Sequence, residues 1–256
     1  MRSSSKVQPV LVSFSGIDGA GKSTQIDSLC RYLGNAGLRI RLLSFWDDAA
    51  ALKSLREAAA HKVFKGDNGV GAPDAPIERR DKNIQSSLMS AVRVGLYIVD
   101  AFSLRRVASR ALRSGADVVI FDRYIYDEFA NLNLGNAVVR LYVRALAKLA
   151  PKPAFGFVLD ADPLQARARK PEYPLEFLIS NRNLYLQLSD LLGMIVIPAL
   201  QITEAKAEVL RHLSPCFFPA ELSGHSVDLL MPNGNAEAKT QLDGNEPRPI
   251  TYGLNC

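Results

Sequence analysis

The chain is poor in the residues that build metal centres and disulfide frameworks. Its three cysteines, Cys30, Cys216 and Cys256, are scattered and odd in number, and its three histidines, His61, His212 and His225, stand apart from one another. Such spacing excludes a disulfide scaffold and a Cys/His metal site and suits a reducing cytoplasm. Long apolar runs are also missing. The longest, "LLGMIVIPAL", is far short of the roughly 18–20 residues that a bilayer span requires, so no membrane association is expected. The opening "MRSSSKVQPVLVSFSG" is basic, but its apolar stretch is brief and reads as a buried strand rather than a secretion signal. Aromatic residues do not interleave with the basic groups at "ERRDK", "RR" and "ARARK", so the base-stacking platform of a nucleic-acid binder is not expected. The net charge of +5 then points to a small anionic ligand or to solubility.

What is present is strict alternation. Continuous apolar runs of strand length occur at 10–14 (VLVSF), 39–45 (RIRLLSF), 117–122 (DVVIFD), 155–160 (FGFVLD) and 194–197 (MIVI). Between them lie helical patterns: one through "TQIDSLCRYLGNAG", a short one at "AALKSLREAAA", a long one from 77 to about 113, and two over 126–149. Further patterns start at Pro163 behind the cap Asp162 and cover 175–192 and 203–213. In the long pattern Ile84, Leu88, Val92, Leu96, Val99 and Phe102 recur at helical spacing. Alternation of this kind predicts an α/β sandwich of three layers, with a parallel sheet covered by helices on both faces. The pattern ends near Pro215. Residues 1–213 are expected to form one domain and 214–256 a flexible tail.

The chemistry is concentrated at "SGIDGAGKSTQ". Gly16, Gly21, Lys22 and Ser23 match G-x-x-x-x-G-K-[ST] between a strand and a helix, the context that a phosphate-binding P-loop requires. Small residues let backbone N–H groups turn toward phosphate oxygens, and the following helix adds its donors and positive dipole end. The cradle expected for ATP is Gly16, Asp18, Gly19, Ala20, Gly21, Lys22, Ser23 and Thr24. Within it Lys22 neutralises the β and γ phosphates, and the Ser23 hydroxyl ligates Mg²⁺. "VVIFDR" ends its strand on Asp122, a carboxylate suited to the metal shell opposite Ser23.

These residues, together with "DRY" at 122–124 and "LDADP" at 159–163, resemble the thymidylate kinase family of P-loop nucleoside monophosphate kinases over about residues 8–213. The resemblance implies a five-stranded parallel sheet and transfer of the ATP γ-phosphoryl group to dTMP. It implies that Asp18 touches the acceptor sugar, and that Arg123 and Arg93 in "SAVRVG" bind the acceptor phosphate. It also implies that Arg167 and Arg169 belong to a lid over the transferred group, and it suggests a homodimer packed through long helices. The chain departs from the family at three places: Ser15 stands where glutamate is usual, "SFWDDAA" follows the second strand, and Asn131 and Leu132 replace a tyrosine–glutamine pair.

Two other functions are compatible with the residues. A kinase acting on a hydroxyl needs a carboxylate base, and Asp47 and Asp48 sit after the second strand, where they equally read as helix-capping acids. A nucleotide-binding regulator without kinase turnover would need only the loop. Trp46 fills either the core or an acceptor pocket, and Asp127 either faces the acceptor or starts a helix. Lys170 reads as solvated charge.

Overall fold

A computed structural model of the chain describes residues 9–50 and 87–217. The expected helix at "AALKSLREAAA", the start of the long helix and the tail beyond 217 lie outside the described residues. Five strands form one parallel sheet: β1 (Val10–Ser15), β2 (Ile40–Ser44), β3 (Val118–Asp122), β4 (Phe155–Leu159) and β5 (Ile195–Ile197). Their order is β2-β3-β1-β4-β5, with Val12 paired to Ile120 on one side and Phe155 on the other. Each of the five expected strands is present, with ends within about one residue of the sequence pattern, as hydrogen-bonding criteria normally allow.

The apolar runs are continuous because both faces of the sheet are covered. Val12, Phe14, Val118, Ile120 and Phe157 point to one side, where they meet Ile26, Leu29 and Leu33 of α1 (Lys22–Asn35) and Val209 and Leu213 of the last helix (Ile202–Phe217). Leu11, Leu43, Val119, Phe121 and Val158 point to the other. There they pack on α2 (Ser87–Leu112), α3 (Ile125–Phe129), α4 (Ala137–Leu149) and α6 (Leu175–Leu192), with α5 (Pro163–Arg169) between β4 and α6 and the last helix numbered α7. Each fully buried strand residue of this size stabilises the fold by about 1.5–3 kcal/mol, so the core holds the strand ends firmly in space.

Local signals account for most helix ends. The Asp162 side chain accepts a hydrogen bond from Leu164 N at 3.2 Å, ahead of Pro163 in the first helical position, as the sequence predicts. The structure adds to the sequence pattern at one helix face and changes it at one helix end. The stripe of α2 that faces the core is Tyr97, Ala101, Leu104, Ala108 and Ala111, whereas Val99 and Phe102 are exposed. α7 continues through Pro215 to Phe217. Proline removes the donor that the Arg211 carbonyl would use, and the Ser214 hydroxyl, 3.4 Å from that oxygen, takes its place.

A candidate anion site at the carboxyl ends of the strands

In an open parallel sheet the crevice lies beyond the carboxyl ends of the strands. Here β1 runs into the glycine loop, β3 into Asp122 and Arg123, β4 into Asp160, and β5 into Pro198. All four ends border a cavity of about 510 Å³. The cavity is also lined by Asp18, Gly19, Ala20, Gly21, Lys22, Ser23 and Thr24, and by Arg169 and Lys170 from the segment ending α5. The apolar part of its wall is Leu159, Ile197, Leu200, Ile202 and Ala205.

The loop is bare for steric reasons. A Cβ on Gly19 would lie 2.2 Å from the Ala166 carbonyl oxygen, and one on Gly16 would lie 2.5 Å from the Leu159 carbonyl oxygen; both are backbone atoms that cannot rotate away. Gly19 also sits at φ +83°, where an L side chain is strained. The loop therefore rests directly on α5 and β4. At its end α1 begins on Lys22, and no acidic residue occupies its first turn. The positive end of the helix dipole is left open to the cavity.

Lys22 is buried and donates to the carbonyl oxygens of Gly16 and Ile17, both at 2.8 Å. Burial, with Arg123 adding repulsion, pulls its ammonium down to about 7 against the opposing pull of Asp18, Asp127 and Asp122. Burial pushes the Asp122 carboxyl up, and Arg123 and Lys22 offset that only in part. Asp122 and Ser23 supply a desolvated carboxylate and a hydroxyl to one cavity, hard oxygen donors of the kind that would suit a magnesium ion. Among the described residues no cluster of three His, Cys, Asp or Glu side chains forms a metal site.

Arg123 is the most constrained cation in the site. It is the non-glycine residue at positive φ, +65°, among the described residues, and its backbone N–H donates to Phe14 O at 3.0 Å. Its guanidinium forms an ion pair with Asp18 and a second with Asp127 at 3.1 Å. Burial opposes its charge, but Asp127, Tyr185 and Asp18 outweigh burial and hold the proton more tightly than usual. Lys170 joins the same network, 3.9 Å from Asp18 and 3.3 Å from Glu172. Its side chain is 44% exposed, so solvated charge describes only part of its position.

The structure therefore brings together Asp18 to Thr24, Asp122, Arg123 and Arg169. Gly16 supports the loop from below, and Arg167, half-buried on α5, is not among the lining residues. Arg93 lies within α2, and its side chain lies outside what is described. Sequence reasoning missed the carboxylate pair around Arg123 as a unit and the bidentate Arg182–Asp160 pair at 2.6 and 2.7 Å. Asp160 sits in the quoted "LDADP", but no local spacing connects it to a helix 22 residues away. Trp46 does not fill the core; Phe45 does, and Trp46 stands 36% exposed against its edge.

No protein-family model matches the chain. The probable thymidylate kinase of Archaeoglobus fulgidus is 26% identical over 208 residues, covering 78% of this chain and 92% of that relative. The thymidylate kinase of Bifidobacterium longum is 29% identical over 163 residues, 62% of this chain and 70% of the relative. A solved thymidylate kinase from Ehrlichia chaffeensis superposes with a TM-score of 0.52 at 20% identity, over 80% of this chain and 98% of that one. The loop, the sheet order and the strand-end carboxylate define a P-loop NTPase fold. The relatives that share sequence with this chain are thymidylate kinases, at 26% and 29% identity.

Proposed function

We propose that the protein is a nucleoside monophosphate kinase that transfers the γ-phosphoryl group of ATP to dTMP, yielding dTDP and ADP. The observation that carries this reading is Arg123, a desolvated guanidinium on the same cavity as the P-loop. An acceptor phosphate is already ionised, so the reaction needs no general base; it needs cations that lower the repulsion between two anions. The planar fork of arginine binds two phosphate oxygens at once. Lys22 exchanges its two carbonyl partners for the β and γ phosphates, Asp18 meets the acceptor sugar, and Arg169 covers the transferred group, with Arg167 behind it on α5. Arg93 is the second ligand of the acceptor phosphate. Ser23 and Asp122 would hold Mg²⁺, which when bound neutralises phosphate charge. Ile98, Val99 and Phe102 leave an apolar face on α2 that suits the homodimer of this reading.

The hydroxyl-acceptor alternative fits less well. The Asp48 carboxylate accepts a hydrogen bond from Ser44 N at 2.7 Å, which ties it to the end of β2 as a local cap. Coupled ADP-release assays should show turnover with dTMP and none with thymidine, and Asp47→Asn and Asp48→Asn should change kcat by less than about threefold, as expected where no carboxylate takes a proton. A large fall in kcat with either variant, together with turnover of thymidine, would favour the hydroxyl acceptor. ATP-binding without release of ADP for any acceptor would favour a regulator.

The glycine contacts supply a further expected result. Gly19→Ala forces a methyl group onto the Ala166 carbonyl, so the loop must lift from α5. Titration with ATP should show affinity weaker by at least about 30-fold, or 2 kcal/mol, from combined strain and clash. Unchanged affinity would mean that the loop does not carry the nucleotide.

A further inference from the structure

We infer that Asp127 is the positioning residue that fixes the guanidinium of Arg123 for the acceptor phosphate, with Tyr185 and Ser15 holding Asp127 in turn. The inference rests on the reading of Arg123 as an acceptor-phosphate ligand, and it goes beyond that reading by naming what aims it.

Asp127 is 5% exposed, and both of its carboxylate oxygens are fully engaged. Oδ2 accepts from the Ser15 hydroxyl at 2.6 Å and from Tyr124 N at 3.1 Å; Oδ1 accepts from Tyr185 OH at 2.8 Å and from Arg123 Nη1 at 3.1 Å. A helix-start role explains only the Tyr124 contact. The other three join the end of β1, the turn after β3 and the middle of α6 at one carboxylate. With its four main acceptor directions taken, Asp127 has no lone pair free for a substrate proton, so it acts through Arg123 and not on the substrate.

The two carboxylates on Arg123 differ in how they are held. Asp18 sits on the glycine loop, beside the cavity, with Lys170 also in range. Asp127 is locked from three elements and lies behind the guanidinium. Both Nη groups are therefore held, Nη1 by a carboxylate locked into the fold and Nη2 by one on the loop that lines the cavity. An arginine left untethered must give up its rotamer freedom when it binds phosphate; this one has given it up on folding. The positive φ of Arg123 fits the same account, since a strained backbone persists only where surrounding contacts over-determine it.

The test uses the full-length protein, with dTMP and ATP as probes. Asp127→Asn keeps the volume and one acceptor but removes the charge, and it should raise the KM for dTMP about 10- to 100-fold, the penalty for a misplaced binding group, with the KM for ATP changed less than about twofold. Tyr185→Phe loses one hydroxyl in a buried ring and should move the dTMP KM in the same direction by about 3- to 10-fold. In an Arg123→Ala background, Asp127→Asn should add less than about twofold, because a residue that acts through another has no effect once the other is gone. If the dTMP and ATP constants rise together, or only the melting temperature falls, Asp127 is a structural carboxylate and the inference is overturned. If Arg123→Ala raises the dTMP KM and neither Asp127→Asn nor Tyr185→Phe does, positioning fails while the acceptor reading stands. If Arg123→Ala itself leaves the dTMP KM unchanged, the acceptor reading fails and this inference falls with it.

Discussion

Lys22→Met is expected to lower phosphoryl transfer by about 10³-fold, the upper range for loss of one preorganised charged donor, without loosening the fold. Two features of the site lead there. The ammonium is buried and, among the described residues, donates to the Gly16 and Ile17 carbonyls, and its pKa is drawn from 10.5 to about 7. Because the folded-state pKa is depressed, the native state binds fewer protons than the unfolded chain between those two values. Stability therefore rises with pH across that window and is lowest, and flat, below about 7. Methionine has no such term. The melting temperature of Lys22→Met relative to wild type should thus be most favourable at or below neutral pH, and the advantage should shrink as pH rises above it. Bound polyphosphate reverses the burial penalty by supplying anions. ATP affinity of the wild type should then rise up to about tenfold per pH unit on moving from pH 9 toward 7, with uptake of a proton. Calorimetry in buffers of different ionisation heat measures that uptake directly. Proton uptake above pH 7 that persisted in Lys22→Met would place the titrating group elsewhere.

The frame of this molecule was legible in the chain because its parallel strands are buried on both faces. A run such as "VVIF" has no polar residue to confuse the period, and Gly115 and Pro153 mark where such runs start. The long helix was legible as a helix, but its buried face was not. Alanines at 101, 108 and 111 contribute little to an apolar pattern, yet they face the core, whereas Val99 and Phe102 dominate the pattern and face outward. Close approach of a helix to a sheet favours small residues, and a pattern weighted by hydrophobicity misses them.

The P-loop was legible because its chemistry is carried by the backbone, and a backbone path that only small residues permit leaves a contiguous signature. The network behind Arg123 left none. Ser15, Asp127 and Tyr185 come from three separate elements, with sequence separations of 112 between Ser15 and Asp127 and 58 between Asp127 and Tyr185. Each is ordinary in its local setting. Ser15 stood out only as a departure from the family's usual glutamate, and the structure gives that hydroxyl a carboxylate partner at 2.6 Å. A negative charge beside the start of the loop is present in this chain, supplied from α3.

Arg123→Ala is expected to do two separable kinds of damage. Loss of a charge-assisted fork should lower kcat/KM for dTMP by about 10³-fold, while the KM for ATP stays within about threefold. It also takes from Asp127 and Asp18, whose side chains are only 2% and 11% exposed, the guanidinium that balances their charge, and removal of one partner from a buried ion pair costs about 3–5 kcal/mol. The fold should therefore weaken along with the activity, and the alanine variant alone does not distinguish a misfolded site from an unarmed one. Arg123→Gly does. Position 123 sits at φ +65°, where glycine is unstrained and alanine is not, so the glycine variant should be more stable than the alanine variant by about 1 kcal/mol. Both should be equally inactive toward dTMP. Equal inactivity at unequal stability assigns the lost catalysis to the guanidinium itself. Activity that tracked melting temperature across the two variants would instead make Arg123 a structural residue, and the acceptor phosphate would need another ligand.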